Sequence, residues 1–416
     1  MDTAFAAVTR ALGLGEEAAV WAEDWPRSEA SFSGLPSFLD EHYVAETCAW
    51  LGMCPELAAE ALRALAMIRR RPEAVRLAWH CHAALCELGV SYEAIRAWPP
   101  LPEAPLLYLL VFLSGVPRLR RLHAERAIPE AVTVETLSAL EGQSRNYRKA
   151  HGHWGFENTG WLWHHFNGLL YRLGRLEFSL DPYRWGYVAF HHRRTRQALV
   201  LAGDGMRFRT DGQLDGASGI ADPAAWTAKL RIDEELISGS PVTPDGRALP
   251  ETVLLERGEW EEILAPGDLA LGMHIPANQP LDHAACGDSL RRAVEFFARH
   301  YPDHPFRAFT GASWLLDNQF DDLLPAASNI RRFLREMYLV PLPGANDEQT
   351  FATVFGRKYD HIDDAPQETA LQRALAAHVK AGGHLHGGAC LLFPGDLAWG
   401  GEVYRNGRAW TEFSDK

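Results

Sequence analysis

From residue 1 to about 150, apolar positions recur three and four apart. Tyr43, Cys48 and Leu51 form one such stripe, and Ala58, Leu62, Leu65 and Ile68 another. This is the period of amphipathic helices. Ala, Leu, Glu and Arg dominate and β-branched residues are few, which favours helix again. Pro55, Pro72, Pro99, Pro102, Pro105, Pro117 and Pro129 punctuate the stripes, where helix starts and linkers are expected. No fixed-period repeat is present, so the region reads as a small bundle and not as a solenoid.

The pattern changes near His151. Residues 161–170 read as a buried helix and 176–180 as a strand. Residues 187–191 and 197–201 read as strands around a basic turn, His192 to Arg196. Residues 212–250, rich in Gly, Asp, Pro and Ser, read as a long irregular loop with one strand at 226–232. Residues 251–264 fit a helix or a strand.

The stretch 269–313 is the best ordered signal. A short apolar run ends in His274, and Pro276-Ala277-Asn278-Gln279-Pro280 breaks it. Asp282 then offers an N-cap to a helix carrying Leu290, Val294, Phe296 and Phe297, and 306–310 resumes an extended run. A short helix near 315–324, an extended run at 337–342, a helix from Thr369 to Gly382-Gly383 and a last strand at 384–393 follow. The fold class is α+β: a helical bundle over 1–150, then a mixed-sheet domain over 151–416.

Charge and composition narrow the function. A net charge of −13 argues against nucleic acid or an anionic membrane as partner of the whole chain. No run reaches the ~20 apolar residues of a membrane span, and 106–116 reads as a buried helix. The N-terminus has no signal-peptide pattern. Six scattered cysteines suit free thiols in a reducing cytoplasm. The sequence sets no oligomeric state.

Several residue types invite chemistry. His151, His153, His164 and His165 lie among Trp154, Trp161 and Trp163. They read as packed or pocket-lining aromatics, with Trp161 and His165 as substrate-binding candidates. A metal-dependent enzyme built on these histidines and on His384-Leu385-His386 is an alternative, but no Cys pair or H-E-x-x-H accompanies them, so no metal is assigned. Arg172 and Arg175 can grip a carboxylate or phosphate through two N–H groups. Asp317 reads as a solvated first-turn charge.

The stretches 160–178, 274–297, 313–330 and 371–383 resemble those of bacterial acyltransferase-domain proteins, which pair a helical N-acyltransferase-type N-terminal domain with a GNAT-like C-terminal domain. The resemblance implies a two-domain N-acyltransferase taking an acyl-CoA as co-substrate and a small-molecule acceptor with an amine or hydroxyl. It implies that the strand ending at His274 faces the site where donor and acceptor meet. His274, with a reference pKa near neutrality, is then the expected proton acceptor. Ser313 and Trp314 are expected on the other side of the cleft, Ser313 doubling as a helix cap. Tyr338 is a candidate general acid for the thiolate. Asn278, Gln279, Asp282 and Arg175 are the cofactor-binding candidates, and Arg172 and Trp314 join the substrate-binding set. One departure stands out. The loop 276–280 has no glycine, and its two prolines remove two N–H donors from any phosphate cradle. That departure supports a second alternative, a non-catalytic binding protein on a degenerate GNAT-like fold.

Overall fold

A computed structural model describes residues 3–277, 279–342 and 347–406. The chain forms two compact units. The first comprises residues 1–177 and 275–280, the second 178–274 and 281–416.

The first unit is a helical bundle. Its longest helix, Leu107–Glu125, is buried along its first half, from Leu107 to Val116. Pro55 and Pro72 open the helices Pro55–Arg69 and Pro72–Cys86, as proline does where an N–H has no intrahelical partner. Pro117, expected between helices, instead lies inside Leu107–Glu125. Proline there deprives the Leu113 carbonyl of its donor four residues on. The Tyr43 hydroxyl replaces it, donating to Leu113 O over 2.8 Å. Burial of that phenol pushes its pKa up to about 12, so it stays a donor.

Four antiparallel or mixed sheets fall in the second unit among the described residues. Five of the six strands of the largest sheet run here in the order Leu176–Pro182, Leu269–His274, Ala308–Ser313, Gly388–Leu392, Tyr338–Pro341. Leu269–His274 and Ala308–Ser313 run parallel, pairing Ala270 with Ala308, Leu271 with Phe309 and Gly272 with Thr310. The helix His283–His300 makes the crossover between them, which parallel pairing requires. Asp282 caps it, accepting from Ala285 N at 2.8 Å. Thr369 likewise opens Ala370–Lys380 with a capping box.

A second sheet runs Arg247–Ala248, Pro241–Thr243, Ala198–Ala202, Tyr187–His192, Trp260–Leu264. Val188, Phe190, Leu199, Leu201 and Trp260 form its buried cluster with Ile237, Val253 and Leu255. The stretch 212–250 is therefore no irregular loop. It contributes the short strands Trp226–Thr227, Leu230–Ile232, Leu236–Gly239, Pro241–Thr243 and Arg247–Ala248. Residues 251–264 resolve into two strands, Val253–Glu256 and Trp260–Leu264. No helix among the described residues is long and apolar enough to cross a membrane.

Candidate active site

The pairing between Leu269–His274 and Ala308–Ser313 stops at Gly272 and Thr310, although both strands run on. From Gly311 to Ser313 the second strand pairs only with Gly388–Leu392. The His274 side chain sits at this opening. Its Nε2 lies 3.2 Å from Ser179 Oγ, and Ser179 Oγ lies 2.5 Å from Asp181 Oδ2. A carboxylate only accepts, so Ser179 donates to Asp181 and its oxygen accepts from His274 Nε2–H. That order of donors places a hydrogen on Nε2. Ser179 is buried and Asp181 exposed, so the chain runs from the interior strand to solvent. Gly272 makes room for it: a Cβ there would stand 2.7 Å from Ser179 Oγ and 3.2 Å from Asp181 Oδ2.

Ser313 Oγ accepts from Leu315 N at 3.2 Å, the capping role expected of it. Trp314 is half-buried and packs on Phe320. Gly388 is opposite Ser313 in the antiparallel ladder, and a Cβ on it would stand 2.0 Å from Leu316 O. Asp317, expected to be solvated, is fully buried. It accepts from the backbone N–H groups of Gln319 and His386, both at 3.0 Å, and its Oδ1 lies 3.5 Å from His386 Nδ1. Burial is the main influence on its carboxyl and raises the pKa, against the opposing pull of His386.

Tyr338 does not serve as an acid. It is fully buried, its hydroxyl donates to Val242 O and accepts from Val200 N, and burial holds its pKa well above the usual phenol value. It is a packing residue that ties the two larger sheets together.

Of the cofactor-binding candidates, Asn278 lies outside the described residues. Asp282 is an exposed cap, and its carboxylate already occupies the helix N-terminus that a phosphate would need. Arg175 is 7% exposed and its guanidinium donates to Pro280 O at 2.7 Å and Gln279 O at 2.9 Å. It shapes the loop and does not point to solvent. Arg172 remains. Its guanidinium donates to Gly174 O, Ser138 Oγ and Gln279 Oε1, all neutral acceptors. Within the first unit, Arg172 and Gln279 line a cleft of about 530 Å³ with Arg145, Leu51 and Met53.

The aromatic and histidine candidates divide. Trp161 is half-buried, edge-on to His165 at 6.2 Å. His165 is wholly buried, 3.5 Å from Glu177 Oε1, so it cannot meet a substrate and acts within the core. His151 lies 3.6 Å from Glu157. No three His, Cys, Asp or Glu side chains converge as a metal site among the described residues.

Sequence reasoning missed Ser179, Asp181 and the burial of Asp317. The one local signal for the first two was their i, i+2 spacing on a strand beside a histidine-ended strand, which puts both on one face.

The fold has known counterparts. Residues 170–392 match the model of the GNAT-like C-terminal domain, and residues 42–168 that of the N-acyltransferase N-terminal domain. The first match spans more than half of the chain, which therefore belongs to the acyltransferase family with a GNAT-like C-terminal domain, and is an enzyme of that class. Among solved structures, it is similar to a mutant acyltransferase in complex with octanoyl-CoA, at 28% identity and a TM-score of 0.62, covering 94% of this chain and 99% of that one. It is also similar to an acyltransferase in complex with decanoyl-CoA and teicoplanin, at 27% identity and a TM-score of 0.61, with the same coverage of 94% and 99%. A third, with decanoyl-CoA alone, matches at 27% identity and a TM-score of 0.61, over 95% of this chain and 100% of that one. A search of curated proteins gives no match.

Proposed function

We propose that this protein moves an acyl group from an acyl-CoA to an amine or hydroxyl of a small-molecule acceptor by direct attack, with His274 as the proton acceptor. The observation that carries the reading is the Asp181–Ser179–His274 chain at the point where the parallel ladder ends. The neutral acceptor nitrogen or oxygen attacks the thioester carbonyl, forming a C–N or C–O bond. The C–S bond breaks, the acceptor's proton passes to the His274 imidazole, and CoA leaves as the thiolate. Proximity supplies most of the rate, and proton removal a factor of about 10² to 10⁴. The Ser313 hydroxyl accepts from Leu315 N and keeps its own hydrogen for the oxyanion that develops on the carbonyl.

The solved relatives hold octanoyl-CoA, decanoyl-CoA and teicoplanin, which supports a medium-length acyl donor and a small-molecule acceptor here. With no glycine in the loop, the CoA phosphates need a side-chain cation. Arg172, whose bonds all fall on neutral acceptors, suits that role. Six free cysteines support a reducing, cytoplasmic setting. The test is release of the CoA thiol from decanoyl-CoA in the presence of a panel of primary amines. Acceptor-dependent release that His274→Ala removes supports the reading, and release at the same rate in both proteins sinks it.

A further inference from the structure

Within the second unit, a cavity of about 580 Å³ lies between the turn 195–198 and the segment 394–404. It is remote from His274. Gly388–Leu392 runs antiparallel to Ala308–Ser313, with Gly388 opposite Ser313 and Leu392 opposite Phe309. Residues 394–398 continue from the Leu392 end, away from the opening at Ser313.

Asp396 lines this cavity with a side chain only 10% exposed. Its Oδ2 accepts twice, from His191 Nε2 at 2.9 Å and from the Tyr404 hydroxyl at 3.1 Å. Its Oδ1 accepts from no group among the described residues. His191 is itself 2% exposed, and its Nδ1 is also unpartnered among the described residues. The opposite charge comes from Arg196, whose Nη1 donates to Glu261 Oε1 at 2.7 Å while Nη2 has no acceptor among the described residues. That Nη2 stands 3.5 Å from where a Cβ on Gly395 would be, beside Asp396. Arg196 is held in the left-handed region, at φ 60°, by its N–H to His192 O at 2.8 Å. Few non-glycine residues occupy that region. Leu397, Val403 and Pro394 supply apolar wall.

We propose that this cavity binds a small zwitterion of the amino-acid class, its ammonium on Asp396 Oδ1, its carboxylate on Arg196 and its aliphatic body against Leu397 and Val403. A ligand with an ammonium alone meets Arg196 with like charge, and one with a carboxylate alone meets Asp396 so. Only a ligand carrying both poles satisfies both open groups. The proposal is independent of the acyl-transfer reading.

Calorimetric titration of the full chain with L-leucine tests it, with isoamylamine and isocaproate as the single-pole analogues. Leucine is expected to bind at one saturable site, and each analogue more weakly by roughly tenfold or more. Asp396→Asn and Arg196→Gln are each expected to weaken leucine by a similar factor. Asp396 also anchors His191 and Tyr404, so Val403→Trp, which fills the cavity and leaves both poles in place, provides the second variant. It is expected to abolish leucine binding with an unchanged circular dichroism spectrum. Absence of binding heat with leucine overturns the proposal. So does an isoamylamine affinity equal to that of leucine, or leucine affinity unchanged in all three variants.

Discussion

His274 Nε2 and Ser179 Oγ lie 3.2 Å apart on neighbouring strands, and the serine passes the contact on to Asp181. The serine sits between the imidazole and the carboxylate, and its hydroxyl is engaged as a donor to Asp181. In the proposed reaction His274 is the proton acceptor, and removing it removes that role. His274→Ala should lower kcat by about 10² to 10⁴ while leaving decanoyl-CoA affinity within a few-fold of the parent. Steady-state kinetics beside a direct binding titration checks both halves.

Ser179→Ala keeps the base and loses its orientation. A loss of about tenfold in kcat is expected, smaller than for His274→Ala, with the pH profile displaced because Nε2 has lost its acceptor. Identical profiles in parent and variant would leave Ser179 without a positioning role.

Gly272→Ala tests the same contact from the backbone. The new methyl would stand 2.7 Å from Ser179 Oγ and must displace the serine. Kinetics like those of Ser179→Ala are expected, with a stability loss of about 1 to 3 kcal/mol from overpacking. Gly388→Ala is expected to be worse for folding, because its methyl would meet the Leu316 carbonyl at 2.0 Å, and backbone cannot swing aside as a side chain can. Chemical denaturation of the two variants ranks them.

Arg175 holds the two carbonyls at the end of the loop 275–280 from a buried position. Arg175→Ala is expected to raise the KM for acyl-CoA by about tenfold, through loss of loop order, with a smaller change in kcat. A fall in kcat at constant KM would assign the loop to the chemistry instead of to binding.

Acid should destabilise the helical unit through two histidines. Burial lowers the pKa of both His80 and His123 to about 4. The folded state resists the proton that the unfolded chain takes near pH 6.5. Stability is therefore full above that pH and falls as the pH drops toward 4, by about 2 kcal/mol per histidine at pH 5. Thermal melts of the parent and His80→Gln at pH 7 and pH 5 check this: the gap between the two pH values should narrow in the variant.

Much of the fold was legible because local rules and tertiary packing agree. The helical spacing over Pro55–Arg69, the breaker after His274 and the caps at Asp282 and Thr369 are all local signals, and each element forms where its signal lies. Pro117 misleads because a residue far along the chain, Tyr43, supplies the donor that proline lacks. The stretch 212–250 misleads because strands of two to four residues, separated by Gly, Asp and Pro, have no period to read and gain their order from pairing. The site was half legible. His274 and Ser313 stand at strand ends visible in the sequence. Ser179 is 95 residues from His274, and the His386 N–H that donates to Asp317 is 69 residues away, distances at which spacing carries no signal. Arg175 and Tyr338 have the right chemistry for their expected roles but are buried and bonded elsewhere, which composition does not reveal.

The central claim, that this chain is built to use an acyl-CoA, is tested most directly by calorimetric titration with decanoyl-CoA, with free CoA in parallel. A single saturable site is predicted, with the melting transition moving up as if about 2.7 kcal/mol were gained at a hundredfold excess over the dissociation constant. Titration with neither heat nor a shift in melting for either compound would contradict the account.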